Sequence, residues 1–173
     1  FPLTDAGNGT YVLAETNISP SNLDALTSGE WYLNVHTTAN PNGEVRGQIV
    51  PDTTAVVTFS LSGSQEVPAV DTMAMGSGYA LFDTTNNNVS LVAVTTIENA
   101  TMAHIHIGFA GENGDVLVGL VESESTAGVW MTDGSIALDE ATATQLLAGG
   151  HYVNVHTAAN TGGEIRGQIT PDN

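Results

Sequence analysis

The sequence predicts an all-β fold: an antiparallel β-sandwich or flattened barrel of about eight strands, with one short helix per module. Three observations carry that expectation. The composition leans to Thr, Val, Asn, Ser and Gly, a mix that favours strands joined by tight turns. Apolar and polar residues alternate with period two through short segments bounded by turn residues. A block of 24 residues also occurs twice without a gap, 120 residues apart.

The first copy, residues 29–52, reads GEWYLNVHTTANPNGEVRGQIVPD, and the second, residues 149–172, reads GGHYVNVHTAANTGGEIRGQITPD. Sixteen of the 24 aligned positions are identical, which rules out coincidence. Similarity of character continues upstream. Residues 19–26 and 139–146 each read as a short helix, with Ser19 or Asp139 as N-cap, Pro or Glu in the first turn, and Gly29 or Gly149 past the end. Before each helix lies a strand-like stretch, Thr10–Glu15 and Val129–Leu138.

A period of 120 makes residues 53–173 one complete module and residues 1–52 the back part of another. The front part, residues 53–120, occurs once. Three readings stay open: a piece of a longer array, an appendage folded on the complete module, or a half completed by a neighbouring subunit. Unpaired strand edges are adhesive, so the third makes self-association through residues 1–52 an expectation. Phe1-Pro2-Leu3-Thr4 does not resemble a signal peptide, so the sequence is expected to be a processed or excised piece.

Within the complete module the expected strands are Ala55–Leu61, Gly78–Phe82, Val89–Val94, Met102–Ile107, Val116–Val121, Val129–Leu138, Tyr152–His156 and Glu164–Ile169. Asn86-Asn87-Asn88 marks a hairpin between the second and third.

Charge and cysteine content exclude several functions. Nineteen acidic side chains face two Arg and no Lys, for a formal charge of −17. That field repels nucleic-acid phosphates and anionic lipid. No run approaches the roughly 18 apolar residues of a membrane span, and without Cys there is neither disulfide nor thiolate site. Sequons at Asn8, Asn17, Asn88 and Asn99 carry little weight in a chain so rich in Asn and Thr.

Several successive blocks identify a family. Leu61-Ser62-Gly63-Ser64-Gln65-Glu66-Val67-Pro68, Ala103-His104-Ile105-His106, Tyr152-Val153-Asn154-Val155-His156-Thr157 and Gly163-Glu164-Ile165-Arg166-Gly167-Gln168-Ile169 resemble the ordered blocks of a CHRD (chordin-type) domain. The resemblance spans essentially all of 53–172, while 29–52 matches the closing blocks alone. It implies an extracellular, secreted β-sandwich module; the incomplete stretch 1–52 adds the expectation of a structural or adhesive module that self-assembles, a filament included, or forms part of a larger surface protein, with a copper- or zinc-binding protein as the alternative.

Candidate chemistry centres on histidine. His104-x-His106 puts two imidazoles on one strand face, and His156 sits in the repeated Asn-Val-His-Thr block. Three such groups suit copper or zinc. The plainer reading makes them core or rim residues bonded to backbone carbonyls. His36, with Asn34, repeats His156 and Asn154, but its half has no His-x-His, which weakens the metal reading there unless a partner subunit supplies one. His151 falls on the opposite strand face.

Both Arg occupy equivalent positions, Arg46 and Arg166, in Gly-Glu-x-Arg-Gly-Gln. Each is expected to bond a carboxylate or loop carbonyls, and alternation puts Glu44 beside Arg46 and Glu164 beside Arg166. Glu112 and Asp115 in the loop 108–115 offer carboxylates for calcium, though at no EF-hand spacing, and a solvated loop is the better reading. Nucleophile and phosphate-loop motifs are absent, so no enzyme is expected, with metal-dependent redox chemistry at the histidines the one enzymatic route.

Overall fold

A computed structural model of the chain describes residues 1–7, 9–51 and 53–171. It divides into two compact units, Phe1–Asp52 and Thr53–Asn173. No helix among the described residues is long and apolar enough to cross a membrane.

In the first unit β1 (Thr4–Gly7) pairs antiparallel with β2 (Thr10–Val12), and α1 (Pro20–Thr27) follows. Ser19 caps α1 by accepting from Asn22 N–H, and Gly29, at φ 74°, turns the chain out of it. Then β3 (Tyr32–Val35) pairs with β4 (Val45–Gln48). No residue of these four strands is fully buried.

The second unit begins with a meander, β5 (Thr54–Ser62), β6 (Met75–Asp83) and β7 (Asn88–Thr95). The β6–β7 turn is held by the Asp83 carboxylate, which accepts from Thr85 N and Asn86 N, with Asn87 in the left-handed region at φ 53°. Next come β8 (Ala100–Ile107), β9 (Val116–Gly119), β10 (Val121–Glu122), β11 (Val129–Met131), β12 (Ile136–Ala137), α2 (Glu140–Leu147), β13 (His151–Thr157) and β14 (Ile165–Ile169). The order across the sheet is β10-β11-β7-β6-β5-β14-β13-β8-β9, with β12 also on β7. β9 and β10 stand at opposite ends of that order yet are separated only by Leu120, whose N–H bonds Ala103 O. One bent segment therefore curls the sheet into a nearly closed antiparallel barrel.

The expected strands and helices are present, with two differences. Val116–Val121 and Val129–Leu138 each break in two, at Leu120 to turn the barrel corner and at Gly134, φ 72°, where a turn separates β11 from β12. Thr10–Glu15 extends only to Val12.

Alternation sorts the side chains of the second unit. Val57, Phe59, Leu61, Phe82, Leu91, Ile105, Val153, Val155, Ile165 and Ile169 fill the interior, and α2 adds Ala143 and Leu146. At ~25 cal/mol per Å² this apolar core is the main stabilising term. All seven residues of β13 are buried, so its outward face is covered too. That cover consists of the segments 63–72 and 108–115, joined where Asn113 Nδ2 donates to Val67 O at 2.7 Å. A polar layer lies beneath them, and the candidate site is part of it.

Candidate metal centre

The pairing of β13 with β8 sets Tyr152 opposite His106 and Asn154 opposite His104, with His156 one step along the same face. Period-two geometry thus gathers His104, His106 and His156 outside the barrel wall. One nitrogen from each lies within 4.8 Å of the others. The ring centroids of His104 and His106 are 5.6 Å apart, those of His104 and His156 4.9 Å, and those of His106 and His156 6.4 Å.

Hydrogen bonds fix the tautomers. His106 Nδ1 lies 2.9 Å from Gly114 O and His156 Nδ1 lies 3.0 Å from Thr161 O. A carbonyl oxygen only accepts, so both Nδ1 atoms carry hydrogen and both Nε2 atoms present lone pairs. His104 Nδ1 sits 2.9 Å from His156 Nε2 and must donate to it. His106 Nε2 is buried with no partner. A buried acceptor left without a donor costs about 1–3 kcal/mol, which a cation at this point removes.

Two imidazoles with Nδ1–H tied to backbone and Nε2 turned inward have the outer support that metal-bound histidines usually show. For His104 to join them, its hydrogen moves from Nδ1 to Nε2. Burial, first of all, holds His104 and His156 below the ordinary histidine pKa, with neighbouring imidazoles adding to the effect. These two rings are thereby favoured in the neutral form that ligation requires. His104 is the most exposed of the three, so the cluster opens to solvent on its side.

The plainer reading also holds in part: carbonyls do hold two of the rings. They account for Nδ1 of each and leave His106 Nε2 unexplained.

Tyr152 organises the layer. His106 stacks on its ring at 4.8 Å and 6° from one neighbouring strand, and Arg166 Cζ lies 3.4 Å from the ring centre from the other. Arg166 is 1% exposed. It donates to Glu112 O at 2.7 Å and to Phe109 O and Gln168 Oε1 at 2.9 Å. Loop carbonyls are therefore its partners. The guanidinium holds two backbone carbonyls of the loop 108–115, while Glu112 and Asp115 themselves are exposed to solvent.

The expected Glu164–Arg166 contact is also corrected. Glu164 precedes β14 and turns away, accepting from Thr72, Thr157 and Asn160. These donors hold its carboxyl below the usual range. Glu44 behaves alike, lowered first by Thr37 and then Asn40. Alternation fails as a guide because neither Glu lies within its strand.

The acid beside Arg166 is Glu66, a residue to which sequence reasoning gave no role. Burial pushes its carboxyl up to about 7, and the charge of Arg166 only partly opposes this. Glu66 Oε1 and Asn154 Oδ1 are buried without partners, and a side chain at Gly163, φ 128°, would run into both residues. The signal was available: Glu66 stands in the block Ser-Gln-Glu-Val-Pro, and Tyr152 repeats Tyr32.

His151 faces the interior, fully buried, with neither ring nitrogen bonded. It lies apart from the cluster, as its strand face requires. Among the described residues, the three histidines form the convergent group of potential metal ligands, while Glu112 and Asp115 belong to none.

The first unit repeats the back half of this layer. Asn34 pairs with Arg46 as Asn154 does with Arg166, and Arg46 Cζ lies 3.6 Å from the Tyr32 ring centre. His36 Nδ1 is 3.0 Å from Pro41 O. Its ring is thus set as that of His156 is.

A family profile described as the CHRD domain matches residues 1–49 and 57–169. No curated protein and no solved structure matches the chain.

Proposed function

The chain belongs to the CHRD domain family, and on that premise we propose that its complete module is an extracellular metal-binding barrel, holding one copper or zinc ion between His104, His106 and His156. The observation that carries this reading is the buried, partnerless Nε2 of His106 in a group of three converging imidazole nitrogens. Imidazole suits both metals, and three protein ligands leave a position for water or an exogenous ligand on the His104 side. Binding and holding the ion are the roles assigned to the three side chains; Gly114 and Thr161 carbonyls orient two of them.

The test is calorimetric titration of chelator-treated protein with Zn²⁺ and, separately, Cu²⁺. The expected result is one site per chain that His106→Ala weakens at least a hundredfold, with Ca²⁺ as the control for loose binding to the acidic surface. Binding below 0.2 equivalents, or binding indifferent to the substitution, rejects the reading.

A second reading, as a structural module that assembles with other CHRD polypeptides in a larger surface protein or filament, is favoured by the first unit. Its β3–β4 hairpin leaves Tyr32, Leu33 and Val45 exposed, an unusual amount of apolar side chain on one ribbon. The acidic surface keeps such a protein soluble in the extracellular medium. Electron microscopy and light scattering of the protein, alone and in its native array, test this reading.

A further inference from the structure

The two hairpins β3–β4 and β13–β14 share one register, residue for residue: Tyr32 opposite Gln48 and Asn34 opposite Arg46 recur as Tyr152 opposite Gln168 and Asn154 opposite Arg166. Their helices recur too, Pro20–Thr27 and Glu140–Leu147. Gln48 Nε2 donates to Gly29 O and Trp31 O as Gln168 Nε2 donates to Gly149 O and His151 O. The first unit is therefore the back half of a barrel, locally complete.

What differs is the covering. In the second unit β13 is flanked by β8 and β14 by β5. In the first, β3 and β4 form a two-stranded sheet, and their outer edges meet no strand among the described residues. Val45 is 62% exposed where Ile165 is 0%, and Tyr32 is 48% exposed where Tyr152 is 3%. A groove of about 550 Å³, lined by Leu13, Trp31, Leu33, Val35 and Ile49 among others, lies over this face. An isolated hairpin of this kind is marginal in water, and two free edges with an apolar face invite added strands.

We propose that residues 1–52 accept the leading half of a CHRD module, which adds one strand to each outer edge of the β3–β4 hairpin and brings its His-x-His pair to His36, closing a second three-imidazole site. The occupant is read from the second unit. A strand of the β8 type, placed against β3 in the register of β13, sets its histidines opposite Tyr32 and Asn34, while its intervening Ala and Ile enter the groove. A strand of the β5 type covers β4, and the loop that follows the His-x-His strand brings carbonyls to Arg46. A second copy of residues 53–119 is not free to do this, because its strands already pair with its own β13 and β14. The occupant is therefore a CHRD leading half that is not already paired with a closing hairpin of its own. Strand addition stands without any metal; the second site rests on the metal reading above.

The experiment supplies a polypeptide of sequence 53–119, diluted from denaturant, to the full chain. Size-exclusion chromatography with light scattering is expected to give a one-to-one complex. Hydrogen exchange at residues 32–36 is expected to slow at least tenfold. Val45→Glu is the discriminating variant. It sits on an exposed position in the free chain and should leave melting unchanged, yet it should weaken the complex at least tenfold because the equivalent Ile165 is fully buried. Zinc bound should be one equivalent higher in the complex than the same chain and segment bind apart, and His36→Ala should remove that extra equivalent while leaving the complex intact. No complex, a complex indifferent to Val45→Glu, or self-association of the chain alone through β3 overturns strand addition. A complex with no extra zinc, from a chain that binds one equivalent alone, overturns the second site. A complex from a chain that binds none shows that the metal reading has failed while strand addition stands.

Discussion

His104 and His156, 52 positions apart in sequence, stand with Nδ1 and Nε2 2.9 Å from each other across the β8–β13 pairing. Between two neutral rings that contact is one hydrogen bond. With a cation it becomes two ligand positions, provided His104 moves its hydrogen to the exposed Nε2. The proposed site thus needs a tautomer change at His104.

Metal should stabilise the fold measurably. A ligand at a hundred times its Kd contributes about 2.7 kcal/mol, and for a chain of this size each kcal/mol shifts Tm by about 2–4 °C. Scanning calorimetry of chelated and zinc-loaded protein should show a rise of several degrees, absent in His106→Ala. An unchanged Tm on loading would contradict a site that discriminates the folded state.

Arg166→Lys and Arg46→Lys should differ sharply. Lysine cannot stack on Tyr152 while donating to Phe109 O, Glu112 O and Gln168 Oε1 together. Leaving those acceptors short at a buried position should cost about 2–4 kcal/mol. Arg46 is exposed, and its replacement should stay within about 0.5 kcal/mol. Denaturant melts of the two variants decide it, and equal effects would remove the role assigned to the loop carbonyls.

Glu66 predicts a pH dependence of one sign. Its folded carboxyl is raised to about 7, above the ordinary 4.5. Between those values the folded state holds a proton that the unfolded chain has released. This contribution is therefore present below about pH 4.5 and lost as pH rises through about 7. Glu66→Gln keeps the shape without the charge, so it should raise Tm at pH 8 and flatten the curve across this window. Parallel curves for the two proteins would show that Glu66 ionises freely.

His151 works in the opposite direction. Burial holds its pKa below the ordinary 6.5, so the unfolded chain takes up a proton first as the solution is acidified. Stability should fall as pH drops below about 6.5. His104 and His156 act in the same sense, so the measurement is the difference between the parent and His151→Leu. A smaller acid loss in the variant is expected; an identical one would assign the effect to other groups.

Much of this was legible in the chain itself. The 120-residue repeat located α1, α2, β3, β4, β13 and β14 because local signals (a cap, a glycine past the helix, alternation) act over a few residues. His104-x-His106 revealed a shared face because a strand has period two. What could not be read was any partner chosen by the loops. Arg166 was expected beside Glu164, but alternation holds only inside a strand, and Glu164 lies in the turn before one. Glu66 escaped notice because its raised pKa comes from burial under a cover that only the nearly closed barrel creates.

Sequence by itself determined the strand class and which histidines share a face, since both follow from periodicity along a single strand, and the repeat, which is read from identity between two blocks. Tertiary structure decided that His156 meets His104 and His106, that the sheet curls into a barrel at Leu120, and that Arg166 bonds to Phe109 and Glu112. The reason is physical: those contacts join segments up to 57 residues apart, and pairing and burial on that scale are properties of the assembled sheet.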